Sequence, residues 1–139
     1  MGSLLPDIDH FIYVYFLMPH ELTSQRVSSM MVRKDVRGVF SLLAATRGER
    51  TKLVFHTVLF QIIFLVLTFF VVTSSASLFG VGIVLGFSLH LLVDQYEDMK
   101  QLGHLDNWFK GVNLDFVKGK EKQYWYFLFS LVLILGFLV

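Results

Sequence analysis

Leu78-Phe79-Gly80-Val81-Gly82-Ile83-Val84-Leu85-Gly86-Phe87-Ser88-Leu89-His90-Leu91-Leu92-Val93-Asp94 is the stretch whose reading decides the fold. Gly82, Gly86, His90 and Asp94 recur at every fourth position in otherwise apolar sequence. At about 3.6 residues per turn, that spacing sets all four on one face of a helix. Glycines at helical spacing let a neighbouring backbone approach closely, and a His and an Asp one turn apart then face that neighbour. Such a pair is a two-point metal grip. Its plainer reading is a buried His–Asp hydrogen bond that holds two helices together. An ionisable pair inside a membrane-length apolar segment is expensive and marks a functional site by default.

Composition points to lipid as the solvent. Of 139 residues, 55% are hydrophobic and only 17% charged, and Phe alone appears fifteen times. A chain this short has no room for so large a buried core. Cysteine is absent, so no disulfide framework exists and any metal would be held by His and carboxylates. The first apolar stretch follows Asp7, Asp9 and His10 rather than a basic region, which is not the pattern of a cleavable signal peptide.

Working outward, Val54 to Val72 is a run of about nineteen residues interrupted only by His56, Thr57, Gln61 and Thr68. It is near the length that a ~30 Å hydrocarbon core requires. The uncharged connector Thr73 to Ser77 joins it to Leu78–Asp94 as an antiparallel hairpin. A third apolar run, Tyr124 to Val139, opens with Tyr124, Trp125 and Tyr126, rings that favour headgroup level. Phe11 to Met18, bounded by His10 and Pro19, is too short to cross and predicts a half or re-entrant helix. Arg26 to Lys52 carries seven Lys/Arg against Asp35 and Glu49. There Val27, Met30, Met31, Val36, Val39, Phe40 and Leu43 fall at helical spacings, the pattern of an amphipathic helix on an anionic membrane surface or of a solvated basic helix. Gln95 to Gln123, with Gly103, Gly111 and Gly119, reads as loop.

The expectation is an all-α, multipass transmembrane helical bundle with a short N-terminal re-entrant or half helix and an amphipathic interfacial helix. It forms a single membrane domain over residues 1–139: a motif loop and basic region (1–53), the hairpin (54–95), a cytoplasmic loop (96–123) and a third apolar helix (124–139). The positive-inside rule puts the basic segment and the loop after Asp94 in the cytoplasm and the connector outside.

This topology brings distant residues to one depth. His56 lies about nineteen residues before the middle of the connector and Asp94 about nineteen after it, with His90 one turn deeper. The cluster Pro6-Asp7-Ile8-Asp9-His10 must lie on the same side, because nothing between it and Arg26 is long enough to cross. Asp7, Asp9, His10, His56, His90 and Asp94 thus become candidate ligands at one membrane face. Imidazoles with carboxylates and no thiolate suit zinc or manganese, with magnesium a further option. A divalent metal there lowers the pKa of bound water and polarises a phosphoryl or acyl oxygen. The alternatives are N-capping by Asp7 and Asp9 and an interfacial side chain for His56.

Gly2-Ser3-Leu4-Leu5-Pro6-Asp7-Ile8-Asp9-His10, Phe55-His56-Thr57 and Gly86-Phe87-Ser88-Leu89-His90-Leu91-Leu92-Val93-Asp94 together resemble the YdjM-like family of bacterial inner-membrane proteins, described as membrane-bound metal-dependent hydrolases. The resemblance spans roughly residues 2 to 95. The His-x-x-x-Asp helix is also similar to that of the zinc-dependent phospholipase C and P1 nuclease superfamily, which cleaves phosphodiesters. The resemblance implies Asp94 as a bridging ligand, His56 and His90 as imidazole ligands, and Asp7 or Asp9 as ligand and catalytic base. Two departures stand out. Thr51-Lys52-Leu53-Val54-Phe55-His56 occupies the place of the family's His-Arg-x-x-Thr-His, and the superfamily's second His-x-x-x-Glu is absent. His20 and His104 are either replacement ligands or solvated loop residues.

The function expected is metal-dependent hydrolysis of a phosphate ester such as a lipid headgroup, at the cytoplasmic face of the bacterial inner membrane. Membrane lipids are the expected partners, and nucleic acid is not. Two rival classes remain: a non-catalytic metal-binding or ion-handling membrane protein, and a structural membrane subunit in which Gly82 and Gly86 are the main point.

Overall fold

Helix α5, Leu78–Gln101, contains the decisive stretch and outruns it by seven residues. The Ser77 hydroxyl caps its start by accepting from the Gly80 amide at 3.2 Å. Its continuation past Asp94, where a loop was expected, follows from Gln, Glu, Met and Lys, all good helix formers. It stops at Leu102, and Gly103 beyond takes φ +80°, the left-handed conformation that terminates helices at least cost to glycine. The computed structural model describes residues 7–49, 53–74, 77–110, 112, 117 and 119–139. Gly2 to Pro6 of the first motif, the Thr51-Lys52 departure, Ser75-Ala76 of the connector and Gly111 lie outside the described residues.

The described residues are helical without strands and divide into two units, Phe55–Val139 and Asp7–Val54. Among them one helix, α5, is long and apolar enough to cross a membrane.

In the Phe55–Val139 unit, α4 spans Val58–Ser74 and α6 spans Glu121–Phe137. α4 starts four residues later than the apolar run because Thr57 caps it, its hydroxyl accepting from the Phe60 amide at 3.3 Å. Its buried side carries Val58, Gln61, Thr68 and Val72, whereas Ile62, Ile63, Val66, Leu67, Phe69 and Phe70 are exposed. Polar groups therefore line the seam and apolar groups face outward. At that seam Thr68 and Ser88 hydroxyls stand 3.2 Å apart. Deeper packing comes from Val58, Phe87, Leu91, Leu105 and Trp108, with Phe64 and Phe87 rings stacked at 4.3 Å. α6 is held to α5 through Leu92, Leu128 and Val132, and through the Trp125 indole N–H, which donates to the Leu92 carbonyl at 2.8 Å.

The glycine expectation needs correction at Gly82. It is exposed, and a Cβ built there would meet no atom within 4 Å. Among the described residues, no neighbouring backbone uses the space that Gly82 leaves.

In the Asp7–Val54 unit, α1 (Ile8–Ile12) runs on into a π-helical turn, Tyr13–Leu17, which ends before Pro19. The expected single amphipathic helix is two: α2, Leu22–Val32, and α3, Val36–Ala45. The break comes at Arg33–Asp35, where Lys34 takes φ 58° and the Asp35 carboxylate accepts from the Gly38 amide at 2.9 Å to cap α3. Val14, Val27, Val39 and Leu43 form the core of this unit. Met31, Val36 and Phe40, counted on the apolar stripe, are exposed instead.

Candidate functional site

Asp94 and His90 stand one turn apart on α5, and His56 lies on the bend just before α4. The bend is fixed from both ends. The Val58 amide donates to the Trp108 carbonyl at 2.9 Å, and the His56 ring packs edge-on against the Trp108 ring at 5.3 Å. His56 thereby reaches Asp94, and its Nε2 is 2.9 Å from Oδ2 of that carboxylate. His90 Nε2 stands 2.9 Å from the same oxygen. The His56 and Asp94 side chains are 4% and 11% exposed and His90 is 18% exposed, so the imidazole of His90 forms the most open edge.

Three atoms of ligand type thus converge on one point. The chemistry of the set suits a divalent ion, because two imidazoles and a carboxylate match the His₂–carboxylate pattern of catalytic zinc. The spacing itself is that of hydrogen bonds. Two ligands of one tetrahedral zinc would stand about 3.3 Å apart at the usual bond lengths, a few tenths of an ångström more than here. Among the described residues, no group of three or more His, Cys, Asp or Glu has the arrangement of a formed metal site.

The other three candidates belong to the Asp7–Val54 unit. Asp7 and His10 line a small pocket of about 140 Å³ together with Phe40, Leu43 and Arg47. Asp7 occupies the N-cap position of α1 without a capping side-chain bond, so the capping alternative does not describe it. Asp9 is buried, and its Oδ1 accepts from the Val54 amide at 3.1 Å. Of the two extra histidines, His20 is exposed and His104 faces Asp106 at 3.4 Å.

Sequence reasoning missed the supports. Asp98 continues the four-residue series from Gly82 through Asp94 and was legible on that ground. It is buried and accepts from the Trp108 indole N–H at 2.6 Å. One residue past Asp94, the Gln95 amide donates to Oε1 of Gln61 at 2.8 Å, and the Tyr124 hydroxyl donates to the same oxygen at 3.1 Å. In the sequence Gln61 reads only as a polar interruption and Gln95 only as the start of a loop.

Comparison with known proteins adds no relative: no family model, no curated protein and no solved structure matches this chain.

Proposed function

We propose that this chain is a multipass inner-membrane protein that holds one divalent ion at His56, His90 and Asp94 and hydrolyses a phosphate ester at headgroup depth. The observation that carries the reading is the approach of two imidazole Nε2 atoms to a single carboxylate oxygen, 2.9 Å each. The membrane part is supported by the exposed Ile, Leu, Val and Phe side chains of α4, α5 and α6, since exposed apolar faces mark membrane or partner contact. It is supported also by the polar seam they enclose, since ionisable and amide groups in a spanning bundle face inward.

Zinc suits the donor set best, with manganese or magnesium as alternatives. A bound ion supplies a water acidic enough to ionise near neutrality and a Lewis acid for the phosphoryl oxygen. The chain's own part is positional. Trp108 and the Thr57 cap hold His56, and α5 sets His90 and Asp94 one turn apart. A second reading is favoured by the hydrogen-bond spacing itself: a His–Asp–His clasp that ties the start of α4 to α5 without metal.

One preparation separates the two. Protein purified in detergent without chelator is analysed for metal, then assayed against glycerophospholipids and generic phosphodiesters with zinc, manganese or magnesium. The hydrolase reading expects about one ion per chain and turnover that falls with Asp94→Asn. Stoichiometric metal without turnover on any substrate would leave a metal binder, and absence of metal the clasp.

A further inference from the structure

A cleft of about 350 Å³ opens between the end of α5 and the start of α6, lined by Tyr96, Met99, Lys100, Lys122, Trp125 and Tyr126. Its lysines are not held in ion pairs among the described residues. The carboxylates of the same helix ends accept from neutral donors, Glu97 from the Gln101 amide at 3.3 Å, Asp98 from the Trp108 indole and Glu121 from the Gly119 amide at 3.1 Å, rather than from either lysine. The floor is rigid and aromatic. Trp125 is fixed by its bond to the Leu92 carbonyl, lies 5.7 Å from the Tyr96 ring and stacks on Phe129 at 5.1 Å.

The cleft also has an apolar continuation. Leu85, Leu89, Tyr96 and Lys100 repeat at helical spacing along one side of α5, as do Lys122, Trp125, Phe129, Val132 and Gly136 along α6. Lower on the same seam, a groove of about 240 Å³ is lined by Leu85, Leu89, Val132, Leu133, Gly136 and Phe137. From Lys100 to Leu85 the seam runs about 22 Å at the helical rise, the scale of a lipid headgroup and most of one acyl chain.

We infer that the α5–α6 seam is a binding site for an anionic glycerophospholipid, its phosphate between Lys100 and Lys122, its glycerol region against Trp125 and Tyr126, and one acyl chain in the groove below. The inference rests on the membrane part of the proposed function and is independent of the metal part. On α5 the cleft faces away from His90 and Asp94: Tyr96 and Met99 lie about 140–160° round the helix from their mean direction and Lys100 about 100°, while Lys122 belongs to α6. Free phosphate shares the headgroup's chemistry, but it would leave the aromatic floor and the groove without use. Tyrosine and tryptophan at one end of an apolar seam are the pattern of a headgroup boundary.

The full chain is reconstituted in nanodiscs holding phosphatidylglycerol and phosphatidylcholine in equal amounts, and lipid retained after mild detergent extraction is counted by native mass spectrometry. Retained phosphatidylglycerol should exceed phosphatidylcholine by about tenfold or more, given roughly 1 kcal/mol of attraction per lysine. The K100Q/K122Q variant should lose that preference while its metal content stays at the unsubstituted level, so lipid and metal are read separately. Equal retention of both lipids, or a preference that survives the double substitution, would overturn the site. So would displacement of the retained lipid by millimolar inorganic phosphate alone. As a second measurement, tryptophan fluorescence should be quenched more in brominated phosphatidylglycerol than in brominated phosphatidylcholine, and Trp125→Phe, which leaves Trp108 as the emitter, should abolish that difference. Quenching by neither lipid would overturn both the site and the membrane reading.

Discussion

The side-chain amide of Gln95 donates to Oε1 of Gln61 at 2.8 Å, across the seam between α5 and α4. Both residues are buried, and the Tyr124 hydroxyl of α6 reaches the same oxygen, so three helices share a single acceptor. Replacing Gln61 with Leu keeps the volume but strips one buried and one half-buried donor of their partner. The expected loss is about 1–3 kcal/mol of stability, read as a lower unfolding midpoint in detergent. Removing Gln61 and Gln95 together should cost less than the sum of the single losses, because the double variant leaves fewer orphaned groups.

At the His–Asp cluster, Asp94→Asn preserves shape and removes charge. If the cluster holds an ion, that change and His90→Ala should each weaken zinc binding by about tenfold or more, since even outer partners of metal ligands are worth that much. Equilibrium dialysis with zinc measures it directly. Affinity unchanged in both variants would exclude these residues as ligands.

Catalysis is tested on the other unit. If Asp7 or Asp9 takes the catalytic role that the family resemblance implies, the Asp7→Ala/Asp9→Ala variant loses phosphodiester turnover while metal bound at His56, His90 and Asp94 is kept. Turnover that survives the double change would place the chemistry on other residues.

The topology has its own test, helped by the absence of native cysteine. Single cysteines at Ser28 and Thr73 should react with a membrane-impermeant maleimide from opposite sides of sealed vesicles. Labelling of both from one side would overturn the hairpin orientation that the basic segment implies.

Two glycines give a matched pair for stability. Gly103, at φ +80°, should lose about 1–2 kcal/mol when replaced by Ala, because an L side chain is strained there. Gly82 sits mid-helix with open space where a Cβ would go, so Gly82→Ala should be neutral or stabilising by up to about 1 kcal/mol. Thermal unfolding of the two variants side by side reads the contrast.

What the sequence made legible was periodic. His90 and Asp94 announce themselves by a four-residue repeat in apolar surroundings, and hairpin register alone pairs His56 with Asp94, now seen at 2.9 Å. Capping and breaking were harder to see. The start of α4 at Val58 depends on one threonine hydroxyl within an apolar run, and hydropathy does not register a cap. The break between α2 and α3 leaves the apolar spacing almost undisturbed, so a single helix was expected where Lys34 turns the chain. The same limit explains Trp108. Its burial depends on bonds to Val58, fifty residues earlier, and to Asp98, and such long-range pairing has no local signature.

Trp108 grips α5 through its indole and the start of α4 through its carbonyl, with His56 resting against its ring. The turn that carries Trp108 therefore works as a splint rather than a linker. Shortening or cutting it would leave both apolar helices intact yet release the arm that carries His56. The tolerance of this protein to insertions should accordingly be lowest around Trp108, in described residues that belong to no helix.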